Sequence, residues 1–73
     1  MRIKIRLDTD SSLRGLVDAC EKLDERCTLT DGNGLTVNAK SILGAMYAKF
    51  EFADIWLETE NEHYYLFKDI MEE

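Results

Sequence analysis

Charged and apolar residues alternate at the start of the chain, with Arg2, Lys4 and Arg6 falling between Ile3, Ile5 and Leu7. That period of two predicts a strand over 2–8 with one buried face. Asp8 to Ser12 then offers several helix-capping side chains, and Leu13, Leu16, Val17, Cys20 and Leu23 recur at three-and-four spacing. An amphipathic helix is therefore predicted over 12–24. Cys27 and Leu29 alternate with Thr28 and Thr30, and Leu35 and Val37 with Thr36 and Asn38, on either side of Asp31-Gly32-Asn33-Gly34. This reads as a hairpin in which Gly32 or Gly34 supplies the positive φ of the turn.

Helical spacing returns through Ile42, Leu43 and Met46, weakened by Gly44, so a short helix of about two turns is expected, with Ile42 pointing inward. A further strand follows, placing Ala53, Ile55 and Leu57 on one face and Phe52, Asp54, Trp56 and Glu58 on the other. The chain closes as a helix capped near Asn61, offering Tyr64, Leu66, Phe67, Ile70 and Met71 to the core. The order β-α-β-β-α-β-α describes an α+β open-faced sandwich: a four-stranded antiparallel sheet with three helices on one face. Residues 1–73 form a single domain, because 73 residues cannot fill a second core. A chain of this size buries only about 60% of its unfolded surface, so function is expected on the exterior rather than in a deep cleft.

Charge and composition narrow the possibilities. A net charge of −6 repels phosphate backbones, which argues against nucleic acid as a partner. No run has the apolar length of a membrane span or a signal peptide, so no membrane partner and a cytoplasmic location are expected. The spacing of Cys20 and Cys27 fits neither a redox pair nor a zinc knuckle, and both are expected as buried, reduced thiols. His63 is the sole histidine and has no Cys, Asp or Glu set at metal-ligand spacing around it; a surface or partly packed ring is expected. No metal or cofactor is anticipated.

The segment Val37-Asn38-Ala39-Lys40-Ser41-Ile42-Leu43-Gly44-Ala45-Met46 closely resembles the regulatory-serine segment of the HPr family, the small phosphocarriers of the sugar phosphotransferase system. The run from Phe52 to Glu60 is similar to that family's last strand, and the element order matches along the chain. The resemblance implies an HPr-like open-faced β-sandwich. In the family, a histidine in a Gly-x-His-Ala-Arg-Pro motif at the start of the first helix takes phosphate from enzyme I and passes it to sugar-specific carriers. The corresponding region here, Thr9 to Ala19, contains no histidine and no proline. The chain thus looks like HPr homologues that keep the serine and lack the histidine, and phosphocarrier activity of the usual type is disfavoured. Arg14 falls in the neighbourhood of the family's arginine, while Asp10, Ser11 and Ser12 are read as helix caps.

Ser41 is predicted to cap the second helix, a role worth about 1 kcal/mol over alanine. The resemblance adds that the matching serine is phosphorylated by a bifunctional HPr kinase/phosphorylase, and that the modified protein is a corepressor for a catabolite-control transcription factor. A phosphate there meets a favourable helix dipole, with Lys40 partly neutralising it. Leu43, Met46 and Tyr47 are expected to form an exposed apolar patch for a protein partner. Phe52 and Trp56, on the open sheet face, either make a homodimer contact or are shielded by the stems of Lys4 and Arg6. The expected function is a non-catalytic regulatory or adaptor protein of the phosphotransferase type, not an enzyme. The alternatives are a divergent phosphocarrier with a non-histidine acceptor and a stand-alone interaction domain without phosphorylation.

Overall fold

Two inward rows of apolar side chains organise the molecule. The computed structural model describes residues 1–72. Within them lie β1 (Arg2–Ile5), α1 (Asp10–Glu21), β2 (Cys27–Thr30), β3 (Thr36–Asn38), α2 (Ile42–Glu51), β4 (Ile55–Thr59) and α3 (Tyr64–Phe67). The strands form one four-stranded antiparallel sheet in the order β1-β4-β2-β3. Ile3, Leu57, Leu29 and Val37 stand opposite one another across the sheet, as do Ile5 and Ile55, and these rows face the helices. Leu13, Leu16, Val17 and Cys20 of α1, Ala45 and Ala48 of α2, and Phe67 of α3 complete the core. The class is α+β, with helices on one sheet face and the other face open, as expected.

The open face carries Arg2, Lys4, Trp56 and Glu58. Arg2 lies over the Trp56 ring at 4.8 Å and pairs with Glu58 at 3.6 Å, while Lys4 pairs with Asp54 at 3.1 Å. Gly32 (φ 82°) and Gly34 (φ 109°) take the left-handed backbone of the hairpin turn, and Asp31 Oδ1 accepts from the N–H groups of Asn33 and Leu35.

Several boundaries and orientations differ from expectation. The first strand ends at Ile5 rather than residue 8, although Leu7 remains buried. The first helix begins at Asp10 because Thr9 takes the cap: its Oγ1 accepts from Ser12 N–H at 3.0 Å. It ends at Glu21 because Lys22 and Leu23 turn their N–H groups back to Ala19 and Cys20, tightening the last turn. The second helix runs ten residues, longer than two turns, and Ile42 is 37% exposed rather than inward.

Phe52 does not share the open face with Trp56. It terminates α2, its N–H donating to Ala48 O at 3.0 Å, and its ring is buried edge-on to Tyr47 at 5.9 Å. Ala53 is likewise exposed in the bend before β4. A homodimer contact through a Phe52/Trp56 pair is thereby removed.

The last helix is a single turn, Tyr64–Phe67, with no side-chain cap, because Asn61 is bonded elsewhere, to Glu25. Phe67 is buried, Tyr64 and Leu66 are exposed, and Met71 pairs with Ile5 as an extended edge. The predicted helix also included Glu73, which lies outside the described residues.

Candidate functional site

Ser41 stands where β3 turns into α2. Its backbone is extended (φ −102°, ψ 125°), its Oγ accepts from Gly44 N–H at 3.2 Å, and its carbonyl accepts the helix's first bond, from Ala45 N–H at 2.9 Å. The expected cap is therefore formed. Asn38 fixes the approach: its carbonyl accepts from Ser41 N–H at 3.2 Å and its Oδ1 from Lys40 N–H at 2.9 Å. Gly44 also has a positional reason, since a Cβ there would meet Asn38 O at 2.7 Å. The residue that weakens the helix by propensity is the one that lets the helix sit against the end of β3.

Lys40 does not lie free beside Ser41. Its Nζ donates to Leu23 O at 2.6 Å, ending α1 with a cation where unpaired carbonyls collect. Lys49 is similarly committed, to Leu7 O at 2.6 Å. Basic groups near α2 thus tie loops down, and Arg14, exposed on α1, carries no such bond.

α2 is unusual in what it buries. Ala45 and Ala48 face the core, while Leu43 is 74% exposed, Phe50 70%, Tyr47 47% and Met46 41%. Small residues let the helix lie close to the sheet, and the large apolar side chains face outward as a contiguous stripe. A shallow groove of about 150 Å³ between the helices brings Arg14 beside Ile42, Met46 and Phe50. Leu43 and Tyr47 are outside that groove. Phe50 and Ile42 extend the expected patch; the signal for them was already present, because only Lys49 and Glu51 are charged in α2.

The other candidates resolve as structure. Thr9 and Ser12 hydroxyls lie 2.9 Å apart within the α1 cap, which accounts for the serines at that helix start. His63 is paired with Glu25, which also accepts from Asn61 N–H at 3.1 Å, joining the α1–β2 loop to the β4–α3 loop. Burial pushes the Glu25 carboxyl up, but hydrogen bonds from Asn61 and His63 outweigh it and hold the group below its ordinary value. Cys20 and Cys27 are buried free thiols, and burial pushes Cys20 up to about 12, so neither is a nucleophile at neutral pH. Among the described residues no cluster of His, Cys, Asp and Glu is arranged to hold a metal, and no helix is long and apolar enough to cross a membrane. No family model, curated protein or solved structure matches this chain.

Proposed function

We propose that the chain is a non-catalytic regulatory or adaptor protein of the HPr type, cytoplasmic, that docks a protein partner through α2 and is controlled by phosphorylation of Ser41. The observation that carries the docking half is the outward stripe of Leu43, Met46, Tyr47 and Phe50 on a helix held down only by alanines. Arg14 borders that stripe across the groove and is proposed as a polar contact for the partner. The phosphorylation half rests on the resemblance around Ser41, and the local chemistry favours it. The first turn of α2 holds no acidic residue, so a phosphoryl group bearing about −1.5 to −2 charge meets unopposed helix N–H groups.

The test is incubation with an HPr kinase/phosphorylase and ATP. One phosphate is expected on the wild type and none on Ser41→Ala; a wild type left as unmodified as Ser41→Ala removes the kinase-substrate reading. A second reading, a stand-alone interaction domain without phosphorylation, is favoured by one observation. Lys40 is spent on Leu23 O and does not stand ready for a phosphate. That reading predicts no phosphate on either protein.

A further inference from the structure

The two edges of the sheet are treated differently. On the β1 side, Arg6 N–H donates to Ile70 O and Glu72 N–H to Lys4 O, both at 2.8 Å, with Ile5 opposite Met71, so the chain covers that edge itself. On the other side, β3 is the outermost strand and nothing among the described residues lies against it. Asp31 N–H donates to Leu35 O (3.2 Å) and Ala39 N–H to Cys27 O (2.9 Å). Antiparallel alternation then turns the backbone groups of Leu35, Val37 and Ala39 toward β2, and those of Thr36 and Asn38 outward. Asn38 O takes Ser41 N–H, but among the described residues the N–H and C=O of Thr36 and the N–H of Asn38 have no partner.

We infer that this edge takes β3 of a second copy of the chain, antiparallel about a two-fold axis at Val37, continuing the sheet from four strands to eight. In that register Thr36 stands opposite Asn38 of the other copy, and each free Asn38 N–H meets a free Thr36 C=O. Thr36 N–H uses the second lone pair of Asn38 O. On the helix side, Val37 faces its own copy at a close non-hydrogen-bonded position, and Leu35, 51% exposed, lies opposite Ala39. The apolar row Ile3, Leu57, Leu29, Val37 thus runs on into its own reflection across the axis.

Charge selects this occupant. Two copies at −6 repel over most of their surface, yet residues 33–50 contain no Asp or Glu and residues 32–39 no charge at all. The β1 edge, by contrast, bears Arg2 and Lys4 and is covered. An uncharged strand edge without proline is a pairing template, and a strand paired with itself makes an isologous, closed dimer. With three residues in the strand, the contact falls below the size of a stable interface, so the dimer is weak and concentration-dependent. This inference stands independently of Ser41 and of docking at α2.

Sedimentation equilibrium of the full chain from micromolar to millimolar concentration is expected to show the mass climbing from monomer toward dimer. Over the same range, hydrogen exchange at the Thr36 and Asn38 amides is expected to slow while that at the sheet interior stays constant. Thr36→Pro removes an outward N–H without touching the ladder to β2, and is expected to stay monomeric. A monomer mass throughout, a dimer with unchanged Thr36 and Asn38 exchange, or a dimer undiminished in Thr36→Pro overturns the inference. If dimerisation is lost in Trp56→Ala but kept in Thr36→Pro, the contact is the open sheet face instead. The exchange measurement on the wild type decides the matter should Thr36→Pro fail to fold.

Discussion

α1 and α2 cover the same sheet with opposite logic. α1 turns Leu13, Leu16, Val17 and Cys20 inward and its polar residues outward, so its sequence is spent on stability. α2 turns alanines inward and keeps Leu43, Met46, Tyr47 and Phe50 in solvent, so much of its apolar surface contributes nothing to folding. A marginally stable chain of this size leaves large apolar groups outside at a cost in solubility, and a partner-binding face accounts for that arrangement.

The largest expected contrast is between leucines on the two helices. Leu16→Ala should destabilise by about 2–5 kcal/mol, because it opens a cavity where the side chain is 2% exposed. Leu43→Ala should shift stability by no more than about 0.5 kcal/mol. Urea unfolding of both variants measures the difference. Comparable losses would mean that the outward face of α2 is packed in solution and would remove the reason for reading it as a docking surface.

Glycines sharpen the same comparison at smaller magnitude. Gly44→Ala places a Cβ 2.7 Å from the Asn38 carbonyl, a backbone atom that cannot swing aside, and should cost about 1–3 kcal/mol. Gly15, mid-helix in α1, has nothing within 4 Å of an added Cβ, and Gly15→Ala should stabilise by about 0.5–1 kcal/mol through helix propensity alone. Thermal melts of the pair should move in opposite directions. A Gly44→Ala protein as stable as the wild type would show that α2 is free to lift from β3.

How much of this was legible depended on whether the deciding contact was local. The period of two in β1 and the three-and-four spacing of α1 are local, and the element order and inward leucines followed from them. The hydroxyl of Ser41 caps the helix whose start the spacing marked. Phe52 was misplaced because alternation continued through a helix end, and a tertiary ring contact with Tyr47 overrode the strand pattern. Ile42 was expected inside because large apolar residues usually are; the alanines at 45 and 48 took that place. Lys40 to Leu23 O and His63 to Glu25 join residues distant in sequence, and no spacing rule brings such pairs together.

The smallest expected difference is read as a slope rather than a midpoint, and it concerns the loop that follows α1. Glu25 has a folded-state carboxyl held below its ordinary value of 4.5, so the stability it contributes is fully present above that value. It is lost as pH falls through the lower folded-state value, because the unfolded chain binds the proton first. α2 has no equivalent: Glu51, near its C-terminal end, is exposed and forms no ion pair among the described residues. Urea midpoints of the wild type should therefore fall steadily on acidification below about pH 4.5. Glu25→Gln should flatten that fall, whereas Glu51→Gln should leave it unchanged. Equal flattening by both variants would assign the acid sensitivity to general charge, and would strip the His63–Glu25–Asn61 contact of its role in holding the loop after α1 to the end of β4.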